Sequence, residues 1–313
     1  MTQAFDWTRS TAHVELLSKF RTPRPTGDFG PDYQMPALGE SAPQAVARFV
    51  QTAHLAPATL PERTATLTVR QLKAGLKHAG CRVTGKKADL VERLLAEAPV
   101  QAEKATAALP TLHALSESGR ALVQQYRSWQ QQRLDAAIAE VSILLRSNDL
   151  RGAVARHRTF AALDPWRDPA DAYADDEQLV VLQLLAAAQP AILHTVARES
   201  MGTLRLAAAL THFFGRAGRE SVPAGFAAGS HLDDETAVRM MSFHINHLRR
   251  RETYLSIRVE QVSVSSCDDE RTCEACKALD GRSFSGKAIP EMPHPHCTSP
   301  SGCRCTIMMA DPI

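Results

Sequence analysis

Five of the seven cysteines in this 313-residue chain fall between positions 273 and 305, as Cys273-x-x-Cys276 followed by Cys297, Cys303 and Cys305. His294 and His296 lie in the same stretch. Two residues between thiolates let one tight knuckle present both sulfurs to a single ion, and zinc closes such a site with four N/S ligands in a tetrahedron. The spacing predicts a zinc site built from Cys273, Cys276, Cys297 and either Cys303 or Cys305. His296 is the histidine placed to substitute for one of them. Cys267 precedes the knuckle and is expected outside the site. The odd cysteine count, in a chain whose N-terminus shows no secretory pattern, favours metal over disulfides. A thiolate-rich site usually closes around zinc and leaves no water position, so the expected role is structural, in a binding protein rather than an enzyme. The alternative is a metal-dependent nuclease acting on DNA. It would need a general-base histidine on a strand, whereas His294 and His296 flank Pro295 in a predicted loop.

A second set of residues could bind polyanions. Net charge over the whole chain is +2, too small for a general polyanion binder. Between positions 63 and 93, however, eight Lys/Arg face two acids, a local +6 that leaves −4 for the remainder. Arg70, Lys73 and Lys77 are spaced i, i+3, i+7 on a predicted helix. Lys86 and Lys87 stand at the start of the next one, where free N–H groups and the helix dipole already favour phosphate. Arg93 completes the predicted DNA-binding set. Such a surface follows the backbone of duplex DNA, or of single strands, without reading bases. The run Arg249-Arg250-Arg251 with Arg258 is a second basic cluster, explained as readily by cations favoured at a helix C-terminus.

The elements that must position these groups are mainly helical. Aromatics are only 5% of residues and hydrophobics 44%, which points to aliphatic, Ala/Leu-rich cores. Thr68 and Gln71 form a predicted capping box, Val69, Leu72 and Leu76 a helical face, and Gly80 a left-handed cap. A second helix opens at Thr84-Gly85, shows Leu90, Val91, Leu94 and Leu95 on its apolar face, and ends at Pro99. Upstream, Val14, Leu16, Leu17 and Phe20 suit a short helix, and so do residues 44–55. Five prolines and three glycines over 21–43 predict an extended arm. From 100 to about 250 the pattern is helical. Leu134, Ile138, Val141 and Leu145 form one stripe and Leu150, Val154 and His157 another, joined at Asn148-Asp149 and stopped at Asp164-Pro165. This resembles a single tetratricopeptide-like hairpin. Helices are expected over 176–188, 190–200, 201–214 and 233–251, with a glycine-rich loop from Gly215 to Gly229. Alternation from Tyr254 to Val264 predicts a strand leading into the cysteines.

Residues 66–97 resemble a SAP domain, the helix-extended-helix module associated with chromosomal DNA organisation and repair. The match is carried by Leu67-Thr68-Val69, Leu72-Lys73, Leu76, Gly80 and the run from Thr84 to Leu94. Cys81-Arg82-Val83 departs from the leucine common in that family after the glycine. The resemblance implies DNA binding in genome maintenance or repair. Over 267–308, Cys-x-x-Cys, Leu279-Asp280-Gly281 and Cys303-Arg304-Cys305 resemble the tail of phage Mu F-like head-morphogenesis proteins, with Thr298–Gly302 inserted before the last two cysteines. That implies, as a further alternative, a phage-derived head or assembly protein. Together the two stretches resemble bacterial SAP-domain proteins with such a tail.

The expected organisation is an arm (1–43), a SAP-like module (44–98), a helical scaffold with a possible protein partner (99–252) and a strand with a zinc knuckle (253–313). No Walker loop, dinucleotide-binding glycine pattern, kinase signature or HExxH is present. The most apolar run, 179–188, is too short to span a bilayer. The chain is therefore expected in the cytoplasm, associated with the nucleoid.

Overall fold

The computed structural model describes residues 6–30, 33, 35–164, 175–267 and 269–310. Pro31 of the proline-rich stretch and Pro165, expected to stop the second hairpin helix, lie outside them. The fold is mainly helical with two small antiparallel sheets. It divides into two compact units, Met1–Arg133 with Phe160–Ala172, and Leu134–Thr159 with Tyr173–Ile313.

The first unit opens with α1 (Thr11–Ser18), capped by Ser10, whose hydroxyl accepts from the His13 N–H. Next come β1 (Arg24–Pro25), α2 (Ala42–Gln51) and β2 (Leu55–Pro57). The expected extended arm is not extended. Short 3-10 turns over Thr26–Asp28 and Pro36–Leu38 fold it back, and Phe29, Met35 and Leu38 join Phe20, Leu17 and Phe49 in one core. Proline excludes helix interior and central strand but suits such turns. Three apolar side chains then anchor the segment.

Four helices follow: α3 (Leu60–Thr66), α4 (Val69–His78), α5 (Lys87–Glu97) and α6 (Pro99–Ala107). They have a core of their own, made by Leu67, Leu72, Leu76, Leu90, Leu94, Ala98 and Ala102. Pro99 begins α6 rather than merely ending α5. It occupies the first helical position, where its missing N–H costs nothing. Strand β3 (Leu112–Leu115), unmarked in the sequence, is the centre of the sheet β1-β3-β2. Its partners are Arg24↔His113 and Leu55↔Leu115. The unit also takes the first part of α7 (Glu117–Arg146).

The second unit takes the rest of α7 and most of α8 (Leu150–Ala161), which meet at a turn with Asn148 in the left-handed region (φ 59°). Asp149 accepts from the Gly152 N–H and caps α8. Helices α9 (Asp175–Ala187), α10 (Arg198–Glu220) and α11 (Asp234–Ser256) pack around Leu182, Leu185, Leu204, Leu210, Met241 and Ile245. Of the helix expected over 190–200, the first part is only a 3-10 turn, Ala191–Leu193, and the last residues already belong to α10. The expected glycine loop begins late. At Gly215 the backbone leaves helical geometry (φ 58°), yet helical structure continues to Glu220.

The strand expected from Tyr254 is a correction. Helix α11 runs on to Ser256, and β4 is only Gln261–Ser265. The helix ends in a Schellman motif: the Val259 N–H reaches the Tyr254 carbonyl at 2.9 Å and the Arg258 N–H reaches Leu255 at 3.2 Å. Arg258 holds the left-handed position (φ 57°), which is normally glycine's. Without a glycine, alternation was the only visible signal. After β4 come α12 (Glu274–Lys277), β5 (Ser283–Ser285) and β6 (Thr306–Met309), in the sheet order β5-β4-β6. Val262, Val264 and Ile307 turn this sheet into the same core that receives Cys276, Cys297, Cys303 and Cys305.

Candidate nucleic-acid interface and metal centre

In the α4–α5 hairpin, Thr68 and Gln71 make both halves of the capping box. The Thr68 N–H donates to Gln71 Oε1 at 2.8 Å, and the Gln71 N–H to Thr68 Oγ1 at 3.3 Å. At the other end, Cys81 N–H bonds the Leu76 carbonyl (2.9 Å) and Gly80 N–H the Lys77 carbonyl (3.1 Å), with Gly80 at φ 72°. This Schellman turn needs a residue tolerant of the left-handed region, hence glycine. Gly75 brings the helices close, since a Cβ there would lie 3.2 Å from Leu94 Cδ1. Val69 departs from its expected place in the core: it is 41% exposed, and Leu67, two residues earlier and just before the helix, is buried instead.

Arg70, Lys73 and Lys77 on α4 are exposed, and so are Lys86, the N-cap of α5, and Lys87, its first residue. The Lys86 N–H donates to Asp89 Oδ2 at 2.9 Å, which closes the start of the helix while its ammonium stays in solvent. None of the five is ion-paired with a described residue. Arg93 is different. Its Nη1 donates to the Arg82 carbonyl at 2.9 Å and to the Thr84 carbonyl at 3.0 Å, with Glu97 at 4.0 Å. The guanidinium therefore braces the extended link between the helices instead of standing free with the other five. Arg93→Ala should lower stability by about 1 kcal/mol, the worth of such bonds net of solvation. DNA affinity per folded molecule should be unchanged in a titration matched by thermal melting.

Of the second basic cluster, Arg249 pairs with Glu177, and Arg250 Nη1 donates to Thr306 Oγ1 (2.8 Å) and the Ile307 carbonyl (3.1 Å). That run ties α11 to β6 and α9.

The thiols lie in the second unit. Cys273 N-caps α12, whose first turn folds back so that the Cys276 and Lys277 N–H groups both reach the Cys273 carbonyl at 3.0 Å. Gly302 (φ 70°) turns the chain into Cys303; a Cβ there would sit 2.8 Å from Met240 Sδ. The sulfurs form two overlapping groups, Cys273–Cys276–Cys297 and Cys276–Cys303–Cys305, each with its atoms within 4.8 Å of one another. Cys276 is common to both. Cys273 Sγ and Cys297 Sγ are 3.7 Å apart, Cys276 Sγ and Cys303 Sγ 3.9 Å. His296 is in neither group and is exposed. Its ring lies beside that of His294, with centroids 5.7 Å apart. Cys267 is exposed and likewise outside both groups. His244 and His247 are buried on α11, and His244 Nδ1 faces the Met292 carbonyl at 3.2 Å. Burial, with His244 nearby, holds His247 neutral down to about 4.

The thiols differ electrostatically. Hydrogen bonds from the Cys297 and Cys305 thiols, and from the His294 N–H, lower Cys303 against the opposing effect of its burial. Facing it, Cys297 and Cys305 are raised by donating to Cys303 and by burial. Cys276 is pushed up to about 12 by burial and by the charge of Cys303. Burial opposes ionisation of Cys273, but N–H donors of Thr298 and Cys276 prevail and bring it to about 7. One residue was silent in the sequence. Arg304, between two of the cysteines, grips Asp269 with both Nη atoms, holding the carboxyl well below its usual range, and so clamps the Cys303–Cys305 segment to the loop that precedes Cys273.

A family model described as the SAP domain matches residues 65–96, which are the end of α3 with α4 and α5. No curated protein and no solved structure matches the chain. The chain thus contains a SAP domain, generally a DNA-binding module, and separately a cysteine cluster able to hold a metal ion. Among the described residues no helix is long and apolar enough to cross a membrane.

Proposed function

We propose that the chain is a DNA-binding accessory protein of genome maintenance, holding duplex DNA through its SAP domain without sequence preference. The observation that carries this is the set of five solvent-exposed cations, Arg70, Lys73, Lys77, Lys86 and Lys87, none ion-paired with a described residue, on a hairpin that matches the SAP family. Two of them sit where a helix N-terminus adds backbone N–H donors for a phosphate oxygen. Their chemistry is that of backbone contact. The expected affinity is modest, in the micromolar range or weaker at physiological salt. The test is a titration of the full chain against two duplexes of unrelated sequence. Equal affinities that fall steeply with salt support the reading. No binding at low salt, or a strong preference for one sequence, overturns it.

The thiol cluster is proposed as a structural zinc site. Four sulfurs about 2.3 Å from one zinc ion lie about 3.8 Å apart along the edges of their tetrahedron. The 3.7 Å and 3.9 Å separations match that spacing and are far beyond the length of a disulfide. Cys273, Cys276, Cys297 and Cys303 are the proposed ligands, and the proton held by each neutral thiol leaves on binding. An all-thiolate set closes the ion off from water, which favours this role over a nuclease centre.

A further inference from the structure

A cleft of about 400 Å³ opens in the first unit where α3, β3 and α7 meet. Its wall carries three guanidinium groups, Arg21, Arg120 and Arg127, against one carboxylate, Glu62, over an apolar floor that includes Leu115 and Val123. Arg120 Nη2 is bonded to Glu62 Oε1 at 2.6 Å. Arg21 and Arg127 are exposed, and neither is ion-paired with a described residue. More positive charge flanks the cleft along the chain. Arg24, three residues beyond Arg21, and Arg63, next to Glu62, each bury an Nε that has no hydrogen-bond partner. Within the lining itself, three guanidinium groups against one carboxylate leave an excess of positive charge, and the planar fork of arginine suits the oxygens of a phosphate.

The cleft adjoins the SAP hairpin. Glu62 belongs to α3, which packs on α5 and α6 and places Leu60 against the Leu67–Leu94 core. We propose that the Arg21/Arg120/Arg127 cleft is a second phosphate-contact site for the same duplex DNA, extending the footprint of α4 and α5. The proposal rests on the DNA-binding reading of the SAP domain. It also gives Glu62 a specific part. That carboxylate caps α3 through Oε2, accepting from the Thr59 N–H at 2.9 Å, and through Oε1 holds Arg120 until a phosphate competes for it.

The test is the dependence of log K on log salt for the full chain on a duplex of about two helical turns. Each phosphate contact contributes about 0.9 to the slope. Arg21→Glu with Arg127→Glu should flatten the slope by about 2, with the melting temperature unchanged because both side chains are exposed and unpaired. Glu62→Gln keeps a capping residue but releases Arg120, and should tighten binding and steepen the slope by up to about 1. A slope equal to wild type in the double variant overturns the proposal; an acidic protein segment as the true occupant would give that result. Lys86→Glu with Lys87→Glu, measured in parallel, separates the two readings. If it alone loses binding, the SAP reading stands and the cleft fails. If only the cleft variant is impaired, the SAP reading fails, and with it the shared footprint proposed for the cleft.

Discussion

Replacing Cys276 with serine is expected to release the metal and to destabilise the second unit by about 4 kcal/mol or more, the range in which losses of a metal or a disulfide fall. For a unit of this size the loss corresponds to roughly 10 °C or more in its melting transition. Cys276 is chosen because both sulfur groups contain it. It is buried in the same core as Val262, Val264 and Ile307, so the ion it binds and the sheet it touches are coupled. Binding free energy at such a site is folding free energy, since the unfolded chain offers no preformed tetrahedron. Cys267→Ser provides the control. That thiol is exposed and lies outside both groups, so metal content and melting should stay at wild-type values. Metal analysis by mass spectrometry with calorimetry checks both. The result has a pH signature of its own. Cys276 and Cys297, two of the proposed ligands, are raised above the ordinary thiol range, so zinc would have to displace their protons. Affinity should therefore rise with pH across neutrality.

The second large effect is expected from Lys86→Glu with Lys87→Glu. Each substitution removes a cation and places an anion beside the first free N–H groups of α5, where a phosphate was to sit. Two lost contacts flatten the salt dependence by about 2, and the added repulsion lowers affinity at low salt by at least about tenfold. The hairpin core, Leu72, Leu76, Leu90 and Leu94, lies beneath and is untouched. Glutamate near a helix N-terminus interacts favourably with the dipole, so stability should hold or rise slightly. Loss of binding in a protein that melts normally is the expected combination.

The features that sequence made visible are those set by neighbours in the chain. The Thr68–Gln71 box, the Gly80 turn and the cations at the start of α5 all depend on residues within a few positions of one another, and each is present as expected. So is the clustering of cysteines far apart in number, because a Cys-x-x-Cys knuckle announces the need for partners. What escaped depends on distant packing or on an unusual residue in a usual role. Phe29, Met35 and Leu38 fold the proline-rich stretch onto a core whose other members lie before and after it. The four residues of β3 carry no alternation long enough to notice, yet they pair with strands some 55 to 90 positions away. Arg258 ends α11 in a conformation that glycine normally signals. Arg93 is expected among the DNA contacts, and nothing near it in the sequence signals that its guanidinium also bonds the carbonyls of Arg82 and Thr84.

The central claim is that the exposed cations of α4 and α5 hold the phosphate backbone of DNA. The most direct measurement is the salt dependence of duplex binding by the full chain and by its Lys86→Glu/Lys87→Glu variant, followed by fluorescence anisotropy. The five contacts of α4 and α5 contribute about −4.5 to the wild-type slope, and the variant should be flatter than wild type by about 2 and at least about tenfold weaker at low salt. A variant that binds as tightly as the wild type, with the same slope, would contradict the account.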